Sequence, residues 1–378
     1  MLQRPLLVAT LLALAHHVAA ADAPRSPTPA SQRNVFDVKV VAKGIEHGWG
    51  LALLPDGRML VTERPGRMRF IGVDGKLSAP LQGLPPVAAI GQGGLLDVTL
   101  SPEFASDRLV YFSFAEPGDG GIGTAVARGR LTDTALQNVQ VIWRQQPKVD
   151  GGNHFGSRVV FRGDGTLFVT MGDRYSHRPK VQDLGTTIGK VVRINADGSV
   201  PRDNPFVNRA GARPEIWSYG HRNVQAAALQ PGTGELWTVE HGARGGDELN
   251  NPRAGRNYGW PVITYGVDYS GEKIGEGTAK AGMEQPVYYW DPVIAPSGAV
   301  FYTGQAFTDW QGDLFVGSMS PGALVRLELE NGRVLRETRY LGELDERIRD
   351  VAQGSDGALY VLTDSGRGRV LQLTRKKS

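Results

Sequence analysis

Residues 163–170 read GDGTLFVT, a tight turn on Asp-Gly followed by a strand of largely apolar residues. The same unit returns along the chain, for example as PDGRMLVT at residues 55–62 and SDGALYVL at residues 355–362. Neighbouring copies are between 45 and 78 residues apart. The six copies have their turns at Gly57, Glu103, Gly165, Gly234, Gly312 and Gly357. The chain is therefore built from a repeated pair of strands.

The repeat predicts an all-β fold, namely a six-bladed β-propeller. Glycine is abundant, at 50 of 378 residues, and long helical periodicity is absent. One unit cannot bury both of its faces alone, whereas six units packed radially can, and such a ring leaves few exposed sheet edges. A β-sandwich or a β-helix with loop insertions is the alternative.

The N-terminus has the pattern of a secretory signal, with a basic start at Arg4, an apolar run from Leu6 to Ala15 and small residues after it. The apolar run is shorter than the roughly 20 residues that span a bilayer, and the chain has no cysteine for disulfides or lipid attachment. We therefore expect export to the periplasm without membrane insertion. The expected organisation is a signal peptide at residues 1–20, a disordered spacer at 21–34 and a single propeller domain at 35–378.

The charge distribution gives no sign of a nucleic-acid partner. The formal net charge is +3, and lysine and arginine are scattered rather than gathered in runs. An anionic small molecule remains compatible with this pattern.

Candidate chemistry lies in Gly-rich loops dispersed over the whole chain, as a propeller requires. His154 lies in a turn flanked by glycines just before a strand, where an imidazole can act as a general base; a structural histidine that caps the turn is the alternative. The segment from Glu240 to Asp268 is rich in carboxylates and glycines, which suits a hard cation such as calcium. A solvated acidic loop explains that composition equally well.

Arg347 and Arg349 are one residue apart, so on a strand both side chains point to the same side. Two guanidinium groups on one side favour an anion between them, and their planar forks suit carboxylates. Ion pairs with Glu343, Asp345 or Asp350 are the alternative.

Taken together, the loops resemble those of the soluble sugar dehydrogenases that depend on pyrroloquinoline quinone (PQQ), most closely the periplasmic aldose sugar dehydrogenases. The resemblance runs from about Val38 to Leu373. The motifs that carry it are GQGGLLD at residues 91–97, GNHFG at 152–156, IWSYGHRN at 216–223, HGARGGDE at 241–248, NYGWP at 257–261 and RIRDV at 347–351.

The resemblance implies a reaction and a set of residue roles. His154 would take the proton from the anomeric hydroxyl of an aldose while hydride passes to PQQ, and an unidentified cytochrome or quinone would accept the electrons. The implied PQQ-binding residues are Gln92, Arg222, Asn223, Tyr269, Arg347 and Arg349. The carbonyls of Gly242 and Ala243 would bind the Ca²⁺ that touches PQQ, and Glu248, the Tyr258 carbonyl and Asp268 would bind a second Ca²⁺.

The chain departs from this family pattern at two places. Residues 317–322 read GSMSPG, where relatives tend to have a lysine that meets a PQQ carboxylate, and Ala243 stands where proline is usual. Two other functions stay open at this point. One is a calcium-dependent lactonase or hydrolase, which would not need the arginine pair, and the other is a propeller that binds a partner without catalysis.

Overall fold

A computed structural model describes residues 24–25 and 35–376, so the predicted signal peptide and most of the predicted spacer lie outside the described residues. Within residues 35–376 the strands form six sheets, which confirms the six-bladed propeller. Each repeat turn predicted from the sequence joins the first and second strands of one sheet.

The strands follow one another around the ring, and each blade starts at the axis. Blades 1 to 3 contain β2 (Gly48–Leu53), β3 (Met59–Glu63) and β4 (Arg67–Ile71); β5 (Leu95–Leu100), β6 (Leu109–Gly118), β7 (Gly121–Leu131) and β8 (Leu136–Arg144); and β9 (Val159–Phe161), β10 (Thr166–Thr170), β11 (Lys190–Asn195) and β12 (Ile216–Tyr219). Blades 4 to 6 contain β13 (Val224–Leu229), β14 (Leu236–Glu240), β15 (Asp247–Asn250) and β16 (Tyr288–Trp290); β17 (Pro296–Phe301), β18 (Leu314–Met319), β19 (Gly322–Glu330) and β20 (Arg333–Tyr340); and β21 (Ile348–Gln353), β22 (Leu359–Thr363), β23 (Gly368–Arg375) and β1 (Phe36–Ile45).

Helical structure in the described residues is confined to short turns. The α-helical turn α1 covers Phe104–Asp107, and 3-10 turns cover Arg178–Gln182, Thr308–Trp310 and Gly342–Leu344. The longest connection within a blade, residues 251–287, joins β15 to β16 and carries several of the predicted site residues.

Apolar side chains fill the space between each blade and the next, which is where the alternating strands bury their faces. Phe112 of blade 2 packs with Leu60 of blade 1, and Val169 of blade 3 packs with Val126 of blade 2. Corresponding clusters join blades 3 and 4, 4 and 5, 5 and 6, and 6 and 1. The ring is closed by antiparallel pairing of β1 with β23, from Phe36 opposite Arg375 to Ile45 opposite Gly368. The first and last strands of the domain thus share one sheet.

A buried ion-pair network joins the innermost strands at the axis. The Arg158 guanidinium lies 2.9 Å from an Asp97 oxygen and 3.0 Å from an Asp350 oxygen, and its Nε donates to the Gln225 carbonyl at 2.8 Å. The second oxygen of Asp350 accepts from the backbone N–H of Leu51 at 2.9 Å. One arginine and its partners therefore link blades 1, 2, 3, 4 and 6.

Removing this arginine should destabilise the whole domain. In Arg158→Met, two carboxylates stay buried without their cation, and burial already raises the pKa of Asp97 to about 6 even with Arg158 present. We expect a loss of about 3–5 kcal/mol in the free energy of unfolding, the range for a broken buried pair, measured by denaturant titration. Arg162→Met removes a neighbouring but half-exposed arginine, and we expect a change within about 0.5 kcal/mol. Equal effects of the two substitutions would contradict this role for Arg158.

The two described residues of the predicted spacer lie against blade 4. The Pro24 carbonyl accepts from the Tyr289 N–H at 3.1 Å, and the Arg25 guanidinium donates to the Asp291 carbonyl. In the described part of the chain, no helix is long and apolar enough to cross a membrane.

Candidate active site

A cavity of about 220 Å³ opens where the loops before β9, after β10 and between β12 and β13 meet residues 241–274. Its lining brings His154, Arg222, Ala243, Asp268 and Tyr269 together, all of which the sequence had singled out. The other lining residues are Asp173, Tyr175, Ser176, Arg178, Trp260 and Ile274.

The base candidate is held by a carboxylate and an indole. The Nδ1 atom of His154 lies 2.7 Å from one Asp173 oxygen, and Trp260 Nε1 donates to the other at 2.8 Å. An ionised carboxylate can only accept, so Nδ1 carries the imidazole proton and the lone pair of Nε2 remains available. The pair has the orientation that a general base needs.

The backbone around His154 is fixed in a conformation that few residues adopt. His154 has φ +53°, in the left-handed region, and its N–H donates to the Gln92 side chain at 2.9 Å. The backbone of His154 also packs tightly against Gly172. A Cβ atom added at Gly172 would lie 2.1 Å from the His154 carbonyl oxygen. Asn223 adds a third contact, since its side-chain oxygen accepts from Gly156 N–H at 3.1 Å. Gln92 and Asn223 therefore position the histidine loop from two other blades.

Burial lowers the pKa of His154, although Asp173 opposes the shift by favouring the imidazolium ion. Only 6% of His154 is exposed, so the neutral form dominates at pH 7. A neutral imidazole is the form that accepts a proton.

Replacing Asp173 should move this pKa further down. In Asp173→Asn the charge that favours imidazolium is lost while burial remains, so the pKa of His154 should fall below its wild-type value. The measurement is a pH titration of the His154 ring signals by NMR on the full protein. Asp150→Asn, which removes the exposed carboxylate 2.8 Å from His177, should leave the His154 titration unchanged. An unchanged or higher pKa in Asp173→Asn would contradict the arrangement.

Positive groups gather around His241, beside this cavity. The pKa of His241 falls to about 3 because the ring is buried and because Arg222 and Arg349 add positive charge nearby. Arg222 lies over the Trp260 ring and donates to the carbonyls of His241 and Gly242. Its Nε and the Nε2 of His241 are buried without a hydrogen-bond partner. The electrostatics of this region suit a bound anion.

Arg347 and Arg349 both approach the Asp364 carboxylate, at 3.9 and 2.6 Å, although Arg347 lies just before β21 and only Arg349 lies within it. Their carboxylate partner is Asp364, which the sequence did not suggest. Arg349 is buried, also donates to the Gln225 side chain at 2.9 Å, and keeps an unpartnered Nε. Arg347 is half-exposed, and its guanidinium donates to the Met319 carbonyl at 3.3 Å and lies 3.5 Å from the Met319 sulfur. Met319 belongs to the segment in which a lysine was expected.

The predicted calcium-binding carbonyls lie next to Arg222. The Gly242 carbonyl accepts from the Arg222 guanidinium, and the Gly242 N–H donates to the Asp247 side chain at 2.7 Å. Burial raises the pKa of Asp247 to about 6. The donor set of main-chain carbonyls suits calcium, but it is shared with an arginine in this structure.

A second, small cavity of about 10 Å³ is lined by Glu248, Tyr258 and Glu240 among others. Burial and the charge of Glu240 raise the pKa of Glu248 well above its usual range. Asn250 donates through Nδ2 to Glu240 at 3.0 Å, and its Oδ1 is buried without a hydrogen-bond partner. A cation between Glu240 and Glu248 would compensate their buried charge. Asp268 does not join them, because its side chain is 3.2 Å from Arg178 at the larger cavity.

The sequence predicted no individual role for three residues of this region. Asp173 follows β10 in a Gly-Asp pair, and Trp260 lay within a recognised motif, but nothing in the chain linked either to His154. Arg64 donates to the Gly91 carbonyl at 2.9 Å, and its Nε is also buried without a partner. Their roles depend on tertiary contacts.

Comparison with known proteins places this site in a known family. The chain matches the model of the glucose / sorbosone dehydrogenase family over residues 45–372. It is 47% identical over 344 residues to aldose sugar dehydrogenase YliI of Escherichia coli, across 89% of this chain and 92% of that protein. The chain is also similar to the apo-form crystal structure of the soluble aldose sugar dehydrogenase from Escherichia coli, with a TM-score of 0.88 and 46% sequence identity. That match covers 90% of this chain and 100% of the Escherichia coli chain.

A more distant neighbour is the PQQ-bound form of an aldose sugar dehydrogenase from Streptomyces coelicolor. It has TM-score 0.74 and 27% identity, and the match covers 92% of this chain and 100% of that chain. The family match extends over most of the propeller and over all the loops that form the cavity. The chain belongs to the glucose / sorbosone dehydrogenase family.

Proposed function

We propose that the protein oxidises aldose sugars at C1 to lactones, with PQQ as hydride acceptor, calcium as its companion ion and His154 as general base. The observation that carries the proposal is the His154–Asp173 pair at 2.7 Å, with Nε2 free in a cavity that also contains Arg222. Family membership supports the reaction class.

The cationic groups fit PQQ, which carries three carboxylates. Arg222 and Arg349 each have a buried, unpartnered Nε, and Arg347 is half-exposed with weak contacts. Such donors form strong hydrogen bonds with carboxylates. Arg222, Arg347 and Arg349 would hold the cofactor, with Tyr269 at the cavity wall, while Gln92 and Asn223 act through the histidine loop. A lactonase has no need of this set of arginines.

The proton chemistry belongs to this chain. His154 Nε2 takes the proton of the anomeric hydroxyl, and Asp173 stabilises the imidazolium ion that forms. Trp260 keeps the Asp173 carboxylate in place through its second oxygen. PQQ, when bound, supplies the two-electron acceptor for the C1 hydride.

The carbonyls of Gly242 and Ala243 would bind one Ca²⁺ beside the cofactor, which requires Arg222 to release the Gly242 carbonyl. Glu248 and the Tyr258 carbonyl would bind a second ion in the small cavity. Asp268 would have to leave Arg178 to join them. The physiological acceptor would be a cytochrome or a quinone, met in the periplasm after export.

Loss of the base should slow turnover while the cofactor still binds. In His154→Ala, with PQQ and calcium added, we expect glucose-dependent dye reduction to fall by about a hundred- to ten-thousandfold, the usual contribution of a general base. His177→Ala is the control, because His177 pairs with exposed Asp150 and does not line the cavity. Near wild-type turnover in His154→Ala would refute the assignment.

Arg347 offers a test of cofactor binding that does not depend on turnover. Arg347→Met removes a half-exposed guanidinium, so the fold should stay intact while the Kd for PQQ rises about ten- to a hundredfold, the effect of a lost charge-assisted bond. Fluorescence quenching measures this Kd in the presence of calcium. Arg336→Met removes an exposed arginine paired with Glu328 and should bind PQQ as wild type does. Equal affinities of the two variants would exclude Arg347 from the cofactor site.

A further inference from the structure

Tyr175 is an exposed aromatic residue held against the proposed base. Tyr175 is 51% exposed and lines the cavity. The centre of its ring lies 5.4 Å from the centre of the His154 ring, in an edge-on arrangement. Exposed large apolar groups at a cavity mouth commonly mark a ligand-binding surface. The mechanism described above gives this ring no task.

The backbone conformation of Tyr175 is unfavourable for a side chain of this size. Arg174 and Tyr175 have φ +57° and +62°, two consecutive left-handed residues that are not glycine. For residues other than glycine this region is disfavoured, and such strain persists only where the surroundings enforce it. Glycine would adopt the same turn without strain.

The surroundings do enforce it. The Arg174 guanidinium donates to the carbonyls of Gly151 and Asn153 at 2.6 and 2.7 Å and lies 3.6 Å above the centre of the Phe155 ring. The Tyr175 N–H donates to the Asp173 oxygen that also meets His154, at 2.7 Å. The same contacts that position the base therefore hold the Tyr175 ring at the mouth.

We propose that Tyr175 is a substrate-contacting residue that determines affinity for the sugar, its ring packing against the apolar C–H groups of the pyranose whose C1 hydroxyl meets His154. Pyranose rings present such apolar surfaces between their hydroxyl groups, and an aromatic side chain covers them with a rigid face at little conformational expense. This inference rests on the proposed function and specifies how that site recognises its substrate.

The test uses the strained backbone. Tyr175→Gly removes the ring and relieves the left-handed strain, so the variant should fold with an unchanged or higher melting temperature. In the enzyme loaded with PQQ and calcium, its KM for glucose should rise about tenfold or more while kcat changes much less, because a wall contact stabilises ground and transition states alike. Tyr175→Phe keeps the ring and should retain a KM close to wild type.

Asn331→Gly is the matched control for strain relief. Asn331 has φ +51° in the turn between β19 and β20, far along the chain from the cavity and not part of its lining. As in Tyr175→Gly, the melting temperature should be unchanged or higher, and KM should stay as in wild type. It separates the effect of a relaxed turn from the effect of a lost ring.

A second measurement detects sugar binding directly, by saturation-transfer NMR of glucose in the presence of the full protein. The expected result is a transfer signal in wild type and Tyr175→Phe that is strongly reduced in Tyr175→Gly. A KM in Tyr175→Gly within about twofold of wild type, or a fall in kcat at constant KM, would overturn the inference while the proposed function stands. Loaded wild-type protein that neither reduces dye with aldoses nor shows sugar contact would overturn both.

Discussion

The arrangement of the whole molecule depends on the buried guanidinium of Arg158. This one group joins Asp97, Asp350 and the Gln225 carbonyl, and Asp350 in turn holds Leu51 of blade 1. A buried cation with two carboxylates is stable only when every partner is in place, so it fixes the relative positions of the blades it joins. Apolar packing between blades provides the stability, and this network provides the register at the axis.

The functional residues are located just upstream of these axial residues in the same blades. His154 precedes Arg158 by four residues, Asn223 precedes Gln225 by two, Gln92 precedes Asp97 by five, and Arg349 adjoins Asp350. In these four blades a structural residue at the axis thus follows closely on a functional residue that lies in the inner strand or just before it. This relation explains why side chains from distant parts of the sequence meet at one cavity with defined geometry.

Local backbone strain at the cavity follows from the same rigidity. His154 and Tyr175 both have positive φ, and both depend on Asp173, which receives bonds from the His154 ring, the Tyr175 N–H and the Trp260 indole. A single carboxylate therefore orients the base and the mouth of the cavity together. Burial, together with the charges of Arg222 and Arg174, lowers the pKa of His154 against the opposing effect of Asp173, so His154 stays uncharged at pH 7.

The propeller could be predicted because each blade repeats a local turn-and-strand pattern. The loops that contain His154, Gln92 and Arg222 could be predicted because their residue types are distinctive. The Asp173–Trp260 contact joins residues 87 positions apart, and no local pattern encodes it. Strand alternation predicted Arg347 and Arg349 on one side, but it did not predict that Arg347 is half-exposed, that Arg349 is buried, or that β21 has a register shift between Ile348 and Asp350. The ion pair between Asp268 and Arg178 likewise joins residues 90 positions apart and is not encoded locally.

The central claim is that this site binds PQQ with calcium and uses it to oxidise aldoses. It is tested most directly by titrating metal-depleted protein with PQQ, with and without calcium, following the cofactor absorbance and then its bleaching on addition of glucose. The account predicts stoichiometric, calcium-dependent binding followed by reduction driven by the sugar. Absence of binding at micromolar PQQ, or binding without reduction by any aldose, would contradict it.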